Sequence, residues 1–245
     1  MNIYHEVLYR PLFNLLIWLY DVLPGADIGF AILALTVLVK VVLWPLTHAS
    51  LKANKAMQAI QPKIEALKVQ HKDNKEALTK AMMELYTAEK VNPLSSCLPI
   101  LIQLPLLIAL YQVLRAGLHG EGLNDLYTFI SKPESINAFF LGVVDLSKRS
   151  IPLALLAGGL QFLQTHMMMR KRVPPQVHKT EGAKDEEMLL AMNRSMMYVM
   201  PLMTVFIGWS LPGGLTLYWV AVNAITILQQ WIINRHKLPV VAKTS

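Results

Sequence analysis

Apolar positions in this chain come in long unbroken runs rather than in the every-third-or-fourth rhythm of helices that cover a soluble core. Residues 28–44 are apolar except for Thr36 and Lys40. With four later runs they mark candidate spans at about 28–46, 94–115, 150–169, 194–211 and 214–233, each close to the ~20 residues a helix needs to cross a bilayer. The pattern predicts an all-α polytopic membrane protein with five transmembrane helices. Pro99, Pro105 and Pro201 interrupt these runs, and neighbouring helices in a bundle can satisfy the backbone groups they free.

Between the first two runs the rhythm changes. Met57, Ile60, Ile64 and Leu67 follow helical spacing, as do Leu78, Met82 and Leu85, with the polar turn His71–Lys72–Asp73–Asn74 between them. This predicts a charged helical hairpin over 50–91, either a solvated structural element or a docking arm. Residues 3–20 mix apolar positions with Tyr4, Tyr9, Phe13, Trp18 and Tyr20, and Arg10, Pro11 and Asn14 break them up. The expectation is an interfacial amphipathic helix within 1–24, a membrane-embedded core over 25–236 and a short tail at 237–245.

Composition agrees: 54% of residues are hydrophobic and 16% charged, against about 25% charged in soluble domains. The lone Cys97 excludes an internal disulfide and a thiol metal cluster. The first residues lack the basic stretch and small-residue cleavage site of a signal peptide.

Charge then sets orientation. Eight lysines crowd 47–93 (Lys52, Lys55, Lys63, Lys68, Lys72, Lys75, Lys80 and Lys90), and more basic residues follow the third span and the last. The loop 117–149 holds only Lys132, Lys148 and Arg149. The positive-inside rule places the N-terminus outside and the C-terminus in the cytoplasm. The net charge of +7 therefore gathers on one face, where anionic lipid, ribosomal RNA or acidic partners would meet it.

Lys40 is the most informative position. A lysine deep in such a helix costs roughly 2.5–3.5 kcal/mol on insertion scales. Two readings stand side by side: the long stem snorkels to the interface, or the ammonium faces an internal groove. Thr36 shares its helix face. Thr216, Trp219, Asn223, Thr226 and Gln230 recur every three or four residues on the last span, Gln161, Gln164 and Thr165 cluster on another, and Gln103 lies on a third. Such residues can act as interhelical hydrogen-bond glue; together with a cation they also fit a hydrated groove. No predicted span contains Asp or Glu, and there is no phosphate loop, metal spacing or nucleophile–base pair. No enzyme chemistry, cofactor or DNA partner is expected. Met167, Met168 and Met169 close one span, and Met188, Met192, Met196, Met197, Met200 and Met203 run into the next. They are either core filler or an adaptable apolar slide.

The stretch 86–99, reading Tyr-Thr-Ala-Glu-Lys-Val-Asn-Pro-Leu-Ser-Ser-Cys-Leu-Pro, continues into Leu101–Ile102–Gln103–Leu104–Pro105 and resembles the signature of YidC/Oxa-type membrane protein insertases. Trp44–Pro45–Leu46–Thr47, Gln61–Pro62–Lys63–Ile64, and Leu211–Pro212–Gly213–Gly214–Leu215 with Leu217–Tyr218–Trp219 and Asn223 match that family in the same order, over roughly residues 4–236. The resemblance implies a five-helix core with a cytoplasmic hairpin. It also implies a hydrophilic groove and ATP-independent insertion of nascent membrane proteins, alone or beside the Sec translocon. The family's groove cation is an arginine, matched here by Lys40, which keeps the charge but loses the planar bidentate fork. Thr36, Gln103 and Trp219 fall at groove positions, and Gln161 or Gln164 supplies a further polar lining group, with Asn223 on the same stripe. Met192, Met196, Met200 and Met203 form the expected slide. No large extracytoplasmic domain is expected ahead of the core, and the short, modestly basic tail implies weak ribosome contact. The competing readings are a small-solute transporter or channel, which would need a through-pore and a coupling group, and a purely structural assembly subunit.

Overall fold

The computed structural model describes residues 3–25, 27–71, 74–92, 98–119, 123–169 and 195–235. They are mostly helical. A π-helical turn, His5–Tyr9, leads into α1 (Arg10–Val22); α2 (Ile28–Val42), α3 (Trp44–Gln70), α4 (Lys75–Ala88) and α5 (Leu98–His119) follow. A two-stranded antiparallel hairpin, β1 (Phe139–Phe140) and β2 (Val144–Asp145), precedes α6 (Ile151–Met169). A second π-helical turn, Ser195–Val199, opens α7 (Met200–Ser210), and α8 (Gly213–Arg235) closes the described chain.

The first apolar run does not continue as one straight helix. α2 ends at Val42 and α3 starts at Trp44, bent by 65° at Leu43. Pro45 accounts for the break: it lacks an N–H, and its ring collides with the carbonyl four residues earlier. Among the described residues, Gly213–Ile233 is by itself long and apolar enough to cross a membrane, and the bent pair α2–α3 passes the same test taken together. α3 and α4 pack against each other, and α3 starts at Trp44, earlier than residue 50. Ile60 and Ile64 are buried, Lys63 pairs with Glu89, and Asn74 caps α4 by accepting from the Ala77 N–H at 2.9 Å. Lys72 and Asp73 of the predicted turn lie outside the described residues, as do residues 94–97, the basic stretch 170–194 and the tail 237–245.

α8 is the shared wall of the bundle. α1, α2 and α5 pack together on one side of it, and α6 and α7 on the other. Phe13, Leu16 and Ile17 of α1 are fully buried with Ile32, Leu35, Leu110, Val113 and Tyr218. α1 is thus docked on the core along one face. α6 and α7 approach closely at Gly158, where a Cβ would run into Val205, and at Gly208, which faces Ala154. Small residues of this kind let membrane helices gain dispersion contact.

One end of the bundle is tied by polar side chains. Asn14, which interrupts the apolar pattern of α1, is buried: it donates to the Arg10 and Asp125 carbonyls and accepts from the Tyr127 N–H at 2.6 Å. Asp27 caps α2 by accepting from the Gly29 N–H at 2.7 Å, and its other oxygen accepts from the Leu141 N–H at 2.7 Å. That second bond holds Leu141, whose φ of 53° is unusual for a non-glycine residue. The Gly213 and Gly214 N–H groups donate to the Lys148 and Leu146 carbonyls at 2.8 and 2.9 Å, so the strand hairpin also anchors the start of α8.

Candidate functional site: a cation on a polar seam

α8 reaches each neighbour with a different polar group. Toward α2, Thr226 accepts from the Lys40 ammonium at 2.9 Å and donates its own hydroxyl hydrogen bond to the Val222 carbonyl at 2.7 Å. Toward α5, Tyr218 accepts from the Gln103 amide at 2.6 Å. Toward α6, Asn223 donates to the Ala157 carbonyl at 3.1 Å. Lys40 thus turns into the α2–α8 seam, onto a residue 186 positions along the chain. The described residues place no carboxylate within ion-pair distance of it. A cation whose recorded partner is a single hydroxyl keeps most of its capacity to attract an anion.

The other predicted groove residues behave differently from one another. Thr36 lies one turn from Lys40 and is buried, but its hydroxyl bonds the Ile32 carbonyl of its own helix at 2.6 Å. Trp219 and Gln161 are half-buried, and the Gln161 carbonyl accepts from Thr165 at 2.9 Å. Gln164 carries a buried Oε1 without a hydrogen-bond partner. Of the predicted slide, Met200 and Met203 are exposed on the outer face of α7 beside Leu202 and Phe206. The Met196 side chain and Met192 lie outside the described residues.

Two residues of the seam escaped the sequence reading. Tyr218 and Gln229 were not singled out as lining groups, although Tyr218, Val222, Thr226 and Gln229 recur every three or four positions and share one face of α8. Following the spacing from Thr226 in both directions would have found them. Among the described residues no cluster of three or more His, Cys, Asp or Glu could hold a metal ion.

A helical membrane bundle with a half-buried cation on a polar seam is the class of protein these features define. The model of the family described as 60Kd inner membrane protein matches residues 18–239. The membrane protein insertase YidC of Pseudomonas paraeruginosa (strain DSM 24068 / PA7) is 35% identical over 239 residues, covering 96% of this chain and 35% of that protein. The membrane protein insertase YidC of Pelobacter propionicus (strain DSM 2379 / NBRC 103807 / OttBd1) is 36% identical over 231 residues, covering 94% and 39% respectively. A crystal structure of an active YidC insertase with its first transmembrane domain resolved superposes with a TM-score of 0.61 at 27% identity, covering 94% of this chain and 46% of that one. The chain belongs to this inner-membrane family, that of the YidC membrane protein insertases. It spans about a third of the length of the curated relatives it matches.

Proposed function

We propose that this chain inserts nascent membrane proteins into a bacterial inner membrane and assists their folding, with Lys40 as the groove cation. Family membership supports the class of activity. The observation that carries the residue assignment is the Lys40 ammonium, turned into the seam onto Thr226 with no carboxylate beside it among the described residues. A short acidic segment of the substrate would meet this charge, which offsets part of the cost of desolvating it. The substrate's apolar helix would leave along the exposed face of α7, where Met200, Leu202, Met203 and Phe206 stand outward. Burial in lipid at about 25 cal/mol per Å² makes that step downhill without ATP.

The reading includes five spans, with the N-terminus outside and the C-terminus in the cytoplasm. The α3–α4 hairpin would receive nascent chains. Membrane lipids would be constant partners, the Sec translocon an occasional one, and ribosome contact through the tail weak.

Reconstituted vesicles test the activity: substrate insertion without nucleotide is expected, and solute flux without insertion would overturn it in favour of a transporter. Lys40→Ala should impair insertion of substrates with acidic translocated segments, and Lys40→Arg should retain it. Undiminished insertion by the alanine variant at equal protein level would remove the cation from the mechanism. Topology is read by labelling single cysteines in a Cys97→Ser background. Lys75→Cys should react only from the cytoplasmic side and Asn124→Cys only from outside; reaction of both from one side would sink the five-span arrangement.

A further inference from the structure

The strand hairpin between α5 and α6 carries an apolar tip that folding alone does not account for. Phe139, Leu141 and Val143 are 46%, 62% and 79% exposed, and residues 136–144 hold no charge. Their neighbours Phe140 and Val144 pack against the core, as alternation along two paired strands requires. Leu141 and Gly142 form the turn, with φ of 53° and 68°, and the Val143 N–H closes it on the Phe140 carbonyl at 3.1 Å. Turns with two such central residues favour Asn-Gly or Asp-Gly, because asparagine and aspartate tolerate positive φ far better than leucine does. A leucine here strains the backbone and packs little against the protein. Asp27 nevertheless holds it in place, accepting from the Leu141 N–H at 2.7 Å.

The position of the tip says what covers it. The base of the hairpin accepts from the Gly213 and Gly214 N–H groups at the start of α8, its tip is bonded to the cap of α2, and α6 begins at Ile151. The hairpin therefore lies across the ends of three helices read as spans, at the level where hydrocarbon gives way to headgroups. The Phe140 ring lies against Gly29 in the first turn of α2 and stands edge-on to Phe30, with centroids 5.5 Å apart. Phe30 opens the exposed stripe of α2 that continues through Val37, Leu38 and Val41. The tip is thus continuous with the side of α2 that lipid would cover. Nearby charge suits a headgroup layer: Asp145 is paired at 2.9 Å with Lys148, whose side chain is 79% exposed, and Arg149 is exposed beside it.

We propose that Phe139, Leu141 and Val143 form a lipid wedge that enters the outer leaflet and fixes the depth of α2. Lys40 follows Asp27 by 13 residues (40 − 27), about 20 Å of helix, so the wedge also sets the depth of the cation. The proposal rests on the five-span reading with the N-terminus outside. Hydrocarbon stabilises an exposed leucine where water does not. A hairpin dissolved in water would gain from asparagine at the turn, whereas a wedge would lose its hold.

The test uses the full chain in vesicles of phosphatidylethanolamine and phosphatidylglycerol, in a Cys97→Ser background. A fluorescent thiol label is placed at Val143→Cys in the tip, at Val41→Cys on the exposed face of α2, or at Asn124→Cys as an aqueous reference. With iodide on both sides of the bilayer, the label at 143 should be quenched several-fold less than the label at 124. Lipids brominated near the top of their acyl chains should quench it instead. Leu141→Asn relieves the turn, so its unfolding temperature in detergent should hold or rise. In vesicles it should raise iodide quenching at 143 and shift the ratio of shallow to deep bromine quenching at 41, whereas Leu141→Met should keep both at the wild-type values. Iodide quenching at 143 equal to that at 124 overturns the proposal. So does a label shielded from iodide yet out of reach of brominated lipid, which would mean that protein covers the tip. An unchanged ratio at 41 in Leu141→Asn removes the control of depth. Reaction of Lys75→Cys and Asn124→Cys from one side would show instead that the five-span reading itself fails.

Discussion

The two ends of the same helices treat buried polar groups in opposite ways. At the end where α1, the strand hairpin and the start of α8 meet, Asn14 makes three hydrogen bonds, Asp27 two, and Tyr20 accepts from the Asn137 N–H at 2.8 Å. At the other end Lys40 leans on one hydroxyl, and Gln164, Gln229 and Gln230 keep unpaired amide atoms. Paired groups hold a structure together, whereas unpaired ones cost stability. The difference teaches where in this chain polar residues serve the fold and where they are kept at its expense.

Asp27→Ala should break the comparison hardest. It removes the cap of α2 and strands the Leu141 N–H, for an expected loss of roughly 2–3 kcal/mol, read as a lower unfolding temperature in detergent with the hairpin loosened. Gly29→Ala should come next: its new Cβ would run into the Phe140 ring, and overpacking of this kind costs about 1–3 kcal/mol. Gly29→Ala combined with Phe140→Ala should recover part of that loss, and a purely additive double variant would show that the contact is not the cause. Lys40→Met sharpens the contrast from the other end. It removes a half-buried cation that lacks a counter-ion among the described residues, so stability should hold or rise by about 1 kcal/mol while insertion of acidic substrates falls. A destabilised Lys40→Met would mean that the ammonium is structural.

The smallest effect concerns acid. The Ser147 hydroxyl at 2.5 Å and then the Lys148 ammonium at 2.9 Å hold the Asp145 carboxyl below its ordinary value. A carboxyl lowered in the folded state contributes stability that is complete above its unfolded value of about 3.9. That contribution disappears as pH falls through the lower folded value. Unfolding followed from pH 7 to pH 3 should therefore be flat until the acid limb and then decline, and Asp145→Asn should blunt that decline because the variant already lacks the carboxylate's contribution at neutral pH, where it should be slightly less stable.

Much of the architecture was legible beforehand. Run lengths and spacing pointed to a mostly helical chain, and uninterrupted apolar sequence made Lys40 conspicuous. Asn14 was read as an interruption of α1, yet it is that helix's main tie to the segment around Tyr127. Met200 and Met203 face outward as a slide would require, but Thr36, placed in the groove with Lys40, has its hydroxyl engaged by its own helix.

Sequence by itself determined the helical membrane class, the family and the candidate cation, because hydropathy and spacing are local properties carried by consecutive residues. Tertiary structure alone decided which way Lys40 points, that α8 serves three neighbours at once, and that glutamines on separate helices are left with unpaired amides. Those outcomes depend on contacts between residues as far apart as Lys40 and Thr226. No local period encodes such pairings, because they are set by how whole helix faces pack.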